Sequence, residues 1–503
     1  MVYSIPEILL SQLTDFVARQ MGLSFPPARW RDLERGIGSA ARDFGFADAG
    51  SCVQWLLSSP FTRGQIEILA SHLTVGETYF FRERKSFAAL EDHILPELIR
   101  SRRGTEQRLR IWSAGCCTGE EPYSVAILLS QMIPDLKDWN ISILATDINP
   151  GFLSRASAGV YSDWSFRDTT LRIQKDYFKK QKEGRFEIIA SIKKMVTFSY
   201  LNLVEDGFPT LLTNTNAIDL IFCRNVLMYF APQRAAKVSD NLYRSLVDGG
   251  WLIVSPSETS HVLFSQFVAV NYPGVIVYKK DGRRVQAAEI HPDRLFEEPR
   301  LSCQPAWTGA EPVVSIFPDF RELPPPTSQG TEKADVGPTP YSEAAMLCEK
   351  GRYAEAAEKL VLWLSMQPDD RKAVALLARV YANQGKLTEA LEACENALGA
   401  DKLDAALHYL RAAIVQEQGL VDEARASLKR ALYLDPHLVL AHFALGNLNL
   451  QQGRFNESTK NFENALSLSS AYRQDEILPE SEGLTAGRLA EIIRSRTVQE
   501  TTA

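Results

Sequence analysis

The period of the hydrophobic positions changes four times along the chain, and each change marks a boundary. Over residues 1–76, apolar side chains recur at helical spacing: Ile8, Leu9, Leu13, Phe16 and Val17, then Val53, Trp55, Leu56 and Leu57, then Ile66, Ile68, Leu69 and Leu73. Strand-like alternation is missing there, so a helical cap is expected. From 77 to 281, apolar runs near 109–113, 141–146, 195–201, 217–223 and 250–255 are separated by helical segments. That alternation predicts an α/β domain with a mostly parallel sheet covered on both faces. A last pair of runs, 267–271 and 275–279, brackets Tyr272-Pro273-Gly274 and reads as an antiparallel hairpin at the sheet edge.

Beyond residue 281 the period is lost. Prolines at 292, 299, 305, 312, 318 and 324–326 precede Thr327-Ser328-Gln329-Gly330, so 282–336 reads as an extended linker. Trp307 and Phe317 could dock on a neighbouring domain, but the simpler reading leaves them unpacked. A strict repeat of period 34 follows. Gly351, Gly385, Gly419 and Gly453 share one phase, Glu355, Glu389, Glu423 and Glu457 another, and Ala356, Ala390, Ala424 and Ser458 a third. A 34-residue helix–turn–helix unit is the tetratricopeptide repeat. Four copies over 337–472 should stack into an all-α solenoid whose concave face can hold a peptide or helix. The tail, 473–503, should add a capping helix near 485–493. Since the linker has little from which to build a core, contacts between the two halves need not be extensive.

Composition narrows the class. A net charge of −7 over 503 residues gives no electrostatic support for nucleic-acid binding. The seven cysteines show no paired spacing and the seven histidines no metal-ligand spacing, so neither a disulfide framework nor a metal site is expected. With no membrane-length apolar run and no basic-then-apolar N-terminus, a cytoplasmic location is the expectation.

Candidate chemistry gathers around Arg110–Ser124, which reads as a buried strand, a small-residue turn at Gly115 and Gly119, and a helix with Pro122 at its first position. The glycines should let the backbone turn sharply and approach a ligand. Twenty-six residues after Glu121, the run Ile141–Thr146 ends in Asp147, placed to accept hydrogen bonds from ribose hydroxyls. The turn lacks the G-x-G-x-x-G spacing suited to a pyrophosphate and carries Glu120 and Glu121, which would repel a phosphate. A cationic nucleoside without phosphates, S-adenosyl-L-methionine, fits better.

Four motifs, Thr78–Arg82, Gly119–Ser124, Ala145–Ile148 and Ile221–Phe230, resemble in sequence and order the CheR family of chemoreceptor protein-glutamate O-methyltransferases. The resemblance covers residues 1–280 and implies a class I, Rossmann-like methyltransferase fold. It also implies S-adenosylmethionine as methyl donor, S-adenosyl-L-homocysteine as product, and the cytoplasmic helical domain of a chemoreceptor as substrate. It places Thr78, Arg82, Glu121, Asp147, Asn202, Leu203, Arg224 and Asn225 around the cofactor. Asp147 would hold the ribose, Glu121 the methionine end, and Asn202-Leu203 the adenine. Arg82 and Tyr229 are the candidates for placing the acceptor carboxylate, with Tyr79, Phe80 and Phe81 packing behind Arg82; a structural pairing of Arg224 with Tyr229 is the alternative for those two.

Three features depart from the family. Gly76 stands where asparagine is usual. The arginine stripe of the second cap helix is interrupted, with Arg31, Arg35 and Arg42 remaining. The strand-and-turn insertion around 184–194 is short, so the solenoid is the expected partner surface, for a signalling protein or peptide. Two other readings stay open at this level: a non-catalytic adaptor that senses the cofactor, and an enzyme methylating a small carboxylic acid.

Overall fold

The computed structural model describes residues 5–205, 208–210, 213–281, 339–481 and 484–501. The proline-rich stretch with Trp307 and Phe317 lies outside the described residues. Four helices, Glu7–Met21, Trp30–Asp43, Ala49–Leu56 and Arg63–Leu73, build the N-terminal cap. Its core is Leu10, Leu13, Val17, Leu33, Ile37, Val53 and Leu69. Ile8 is 74% exposed, because the buried stripe of the first helix runs Leu10, Leu13, Val17, Met21 and turns Ile8 away.

Ten strands form two sheets. They are β1 (Arg108–Ala114), β2 (Asn140–Asp147), β3 (Val160–Tyr161), β4 (Phe178–Lys180), β5 (Phe186–Ile188), β6 (Val196–Tyr200), β7 (Ile218–Phe222), β8 (Leu246–Ile253), β9 (Val268–Tyr272) and β10 (Val275–Lys279). The large sheet has the order β6-β2-β1-β7-β8-β10-β9, parallel from β6 to β8, with β10 antiparallel to both of its neighbours. The edge hairpin is therefore where the sequence put it. The small antiparallel sheet β3-β5-β4 was not foreseen; its strands are two or three residues long, too short to show alternation.

Alternation along each long strand assigns its two faces. Ile111, Ile143 and Leu220 join the core beneath the helix Glu120–Met132, while Trp112 and Ile221 share the cluster that holds Val238 and Leu242 of the helix Pro232–Ser245. Among the described residues, no helix connects β6 to β7. That half of the second face, where Arg110, Ser142, Leu144, Thr197 and Ser199 project, has no cover from its own domain.

The solenoid supplies the cover. Its four helix pairs are Pro340–Glu349 with Tyr353–Met366, Arg371–Asn383 with Leu387–Ala400, Ala405–Glu417 with Val421–Leu434, and Val439–Gln451 with Phe455–Ser469; a last helix, Ala486–Thr501, follows. The phase-locked glycines sit in the turns with φ of +70 to +81°, a region that glycine enters without strain, and Ala356, Ala390, Ala424 and Ser458 are fully buried. Tyr409, Ala412, Gln416, Glu417, Ala444 and Asn447, from the first helices of repeats three and four, line a cavity shared with Arg110, Ser142, Thr197 and Ser199. Glu417 binds Arg110 at 2.6 Å and Arg108 at 3.2 Å, all three side chains at most 8% exposed. It also accepts from Asn216 Nδ2 at 3.1 Å, and its carbonyl accepts from Asn140 Nδ2 at 2.9 Å. The expectation of slight contact between the halves is thus corrected. It followed from the linker's composition, which says nothing about the solenoid's inner surface.

Candidate active site

The site lies at the C-terminal ends of the parallel strands, where an open α/β sheet leaves a crevice. Gly115 and Gly119 adopt φ of +85 and +92°. Their freedom admits protein neighbours rather than a ligand: a Cβ on Gly115 would meet Val226 Cγ2 at 2.3 Å, and one on Gly119 would meet Ala156 Cβ at 2.9 Å. The turn is pinned to β2, since the Gly115 and Cys116 amides both donate to the Thr146 carbonyl at 2.8 and 2.9 Å. The helix begins at Glu120, so Pro122 is its third residue rather than its first; the amide it lacks would be unpaired at either position.

Asp147 ends β2. One carboxylate oxygen accepts from the Cys117 amide and the other from the Asn149 amide, both at 2.9 Å. Each oxygen keeps a lone pair, which suits a vicinal diol. Burial pushes this carboxyl up to about 6, against the pull of its backbone donors. Burial also raises the Cys117 thiol to about 12, which keeps it protonated, in keeping with a small turn residue.

The two glutamates separate. Glu120 turns away from the cavity and is held by Thr118 Oγ1 (2.6 Å) and Ser165 Oγ (3.0 Å). Glu121 does line the cavity, but it accepts from Ser113 Oγ at 2.7 Å and from Arg224 Nη1 at 2.9 Å. Its charge is largely met by Arg224, so the two adjacent acids do not present a pair of free negative charges to the cavity. Arg224 also reaches Glu83 (2.9 Å) and the Arg82 carbonyl (2.6 Å). It is not paired with Tyr229, whose ring lies under the Arg29 guanidinium at 5.7 Å.

Thr78, Arg82, Glu121, Asp147, Asn202, Leu203, Arg224, Asn225 and Tyr229 all line one cavity, drawn together from five separate stretches of chain. Arg82 donates to the Glu77 carbonyl at 2.5 Å, which fixes its guanidinium at the wall. Phe80 is fully buried against Phe166, Tyr161 and Phe178, and Phe81 packs on Phe87. Tyr79 differs from the packing role expected of it: it lines the cavity, with Arg167 over its ring at 3.8 Å. The Asn202 side chain donates to the Gln20 carbonyl (2.8 Å) and to Glu205 (3.2 Å), so it shapes the wall rather than offering donors inward.

Several contributors escaped the sequence reading. The cap adds Met21, Leu23 and Phe25, brought over the crevice by the Ser24 amide donating to the Tyr229 carbonyl at 2.7 Å. Phe152 is another wall residue, and it explains the glycine at 76: a Cβ there would stand 2.5 Å from its ring. Glu258 is buried and accepts from the amides of Asn225 (2.7 Å), Val226 (2.7 Å) and Met228 (3.2 Å), holding the turn in which Asn225 takes φ +58°. The S-x-x-E pattern Ser255–Glu258 was the available signal, and it does form a capping box.

A seven-stranded, mostly parallel sheet with an antiparallel edge hairpin and a buried carboxylate ending the second strand defines a Rossmann-like methyltransferase fold. The sequence comparisons agree. Residues 76–272 match the CheR methyltransferase SAM-binding domain, and 347–414 and 409–466 match tetratricopeptide repeats. A probable chemotaxis protein methyltransferase of Rhizobium etli is 36% identical over 207 residues, 40% of this chain and 75% of its own. The chemotaxis protein methyltransferase of Borreliella burgdorferi is 31% identical over 252 residues, 50% of this chain and 87% of its own. Chemotaxis protein methyltransferase 1 of Pseudomonas aeruginosa is 33% identical over 221 residues, 43% and 78% of the two chains. The chain belongs to the CheR family of S-adenosylmethionine-dependent methyltransferases, with tetratricopeptide repeats at its C-terminal side. No helix among the described residues is long and apolar enough to cross a membrane.

Proposed function

We propose that this enzyme methylates glutamate side chains on the cytoplasmic helical domain of a chemoreceptor, in the adaptation arm of a chemotaxis-like pathway. The observation that carries the reading is the presence of Asp147 and Arg82 in one cavity. The first suits a ribose diol, and the second can orient a carboxylate by paired N–H donors. Bound there, S-adenosylmethionine would supply a methyl on a positively charged sulfur, transferable to a carboxylate oxygen with the C–S electron pair left on sulfur.

A glutamate is already ionised at neutral pH, so no side chain needs to act as a base. The protein's work is alignment and exclusion of water. Arg82 orients the acceptor carboxylate with Tyr229 beside it, and Thr78 and Asn225 bound the cofactor end. Arg224 and Glu121 hold each other and the Arg82 backbone in place. The cap segment Met21–Phe25 closes the apolar side.

The solenoid serves as the surface for a signalling protein or peptide. Its first helices in repeats three and four already face the sheet, so a partner meets the outer side, where Val361, Leu362 and Met366 of the first repeat are exposed. The test is incubation of the full chain with methyl-labelled S-adenosylmethionine and receptor cytoplasmic domains. Label released by mild base is expected, since methyl esters hydrolyse there. Base-stable label, or labelling of small acids alone, would overturn the proposal.

A further inference from the structure

The cavity wall at Leu201–Leu203 is tied, through Glu205, to a helix almost three hundred residues away. Asn202 is 1% exposed, and its amide nitrogen is shared between the Gln20 carbonyl and Glu205 Oε1, while its oxygen accepts from the Val204 amide at 3.3 Å. The other oxygen of Glu205 takes Arg488 Nη2 at 3.0 Å. Arg488 belongs to the terminal helix Ala486–Thr501; it also binds Glu491 at 3.2 Å and lies 5.1 Å from the Tyr200 ring centroid. Its side chain is 14% exposed and that of Glu205 is 31% exposed, so the pair sits in a seam that excludes most water. Leu484 and Ile492 line a small cavity there with Tyr200, Leu201 and Glu205.

We infer that Arg488 is a positioning residue for cofactor binding: through Glu205 it holds Asn202, and with it Leu203, in the shape that receives the adenine. This rests on Asn202-Leu203 forming the adenine wall. The physical reason is directional. A carboxylate half-buried beside Tyr200 is stable while a guanidinium compensates it; without that cation it gains by swinging to water, and in doing so it releases the Asn202 amide. The cap helix Arg63–Leu73 brings Arg63 over the Tyr200 ring at 4.1 Å, but that guanidinium bonds Glu67, and its pull on Glu205 ranks behind that of Arg488. Arg488 touches neither acceptor nor methyl donor, so its loss should be felt in cofactor affinity and not in the saturated rate.

The experiment uses the full chain and titrates S-adenosylhomocysteine and S-adenosylmethionine into Arg488→Ala, Arg488→Lys, Glu205→Ala and the Arg488→Ala/Glu205→Ala double variant, with thermal melts alongside. Arg488→Ala should weaken both ligands about three- to tenfold and raise KM for the methyl donor with kcat retained, the scale of one ordinary hydrogen bond lost indirectly. Arg488→Lys should restore most of the loss, and the double variant should be no worse than the worse single one. Leu203→Ala tests the underlying placement. Weakened binding in Leu203→Ala with unchanged binding in Arg488→Ala overturns the inference alone, and unchanged binding in both overturns the adenine placement with it. Additive losses in the double variant, or a fall in kcat equal to the fall in kcat/KM, would reduce Arg488 to general stability and overturn the inference as well.

Discussion

At the scale of single residues, Asp147 controls the pH response. Burial pushes its carboxyl up to about 6, outweighing its backbone donors. The folded value lies above the unfolded one, so the folded state holds the proton between about pH 4 and 6, and stability contributed by this group falls as pH rises through that window. Ribose binding at Asp147, as proposed, would run the other way, because accepting hydrogen bonds from two hydroxyls favours the ionised form. Affinity should therefore drop about tenfold per pH unit below 6 and be flat above it, and Asp147→Asn should abolish the slope. Asp147→Ala should cost about 1.5–3 kcal/mol of binding, measured by calorimetry at pH 7.5. Arg82 should separate from it: Arg82→Ala is expected to lower turnover at saturating cofactor more than it lowers cofactor affinity. The opposite split would move Arg82 to the methionine carboxylate.

At the scale of elements, what could be read from the sequence depended on whether a signal was local. The seven strands of the large sheet, the edge hairpin and the four helical hairpins announced themselves through runs of apolar residues or an exact period, and each appears within a few residues of its expected place. The nine candidate site residues share a cavity because strand ends in a parallel sheet converge, which a motif order implies without coordinates. What was missed is non-local. Nothing near Glu258 says that its carboxylate will hold the amides of the Asn225 turn, and nothing near Gly76 reveals the Phe152 ring. Glu120 and Glu121 are adjacent and chemically alike, so only the direction of the first helical turn separates a structural acid from one facing the cavity. Glu258→Ala should accordingly damage the site from outside it. Three amides of the turn would lose their acceptor, and cofactor affinity should fall together with Tm.

At the scale of the whole molecule, two halves joined by a long proline-rich stretch meet through buried charge. Glu417 compensates Arg108 and Arg110 at once, so Glu417→Ala would take their shared carboxylate from two buried guanidinium groups, leaving, among the described residues, Arg110 only Asn214 and Arg108 only Glu106 at 3.9 Å. It should cost about 3–5 kcal/mol, seen as a lowered Tm of the methyltransferase half as well as the solenoid. The repeat turns meet that half in sequence: Gly351 lies against Arg244, Gly385 against Arg108 and Val247, and Gly419 against Asn140, while Gly453 meets nothing. Those contacts step along the N-terminal ends of the parallel strands, from β8 past β1 to β2. From Gly351 to Gly419 two repeat steps cross three strand spacings, β8-β7-β1-β2, about 14 Å at the usual strand separation, so each repeat turn meets its own place along the sheet. The solenoid therefore acts as a ruler whose graduations must match the sheet. Removing one whole 34-residue unit would leave every remaining hairpin able to fold, yet it would bring the wrong turn to each mark and take Glu417 away from its arginines. A chain shortened in this way should keep its helix content by circular dichroism and lose the cooperative melting of its two halves; in a fused array of this kind, repeat number is fixed by register and not free to drift.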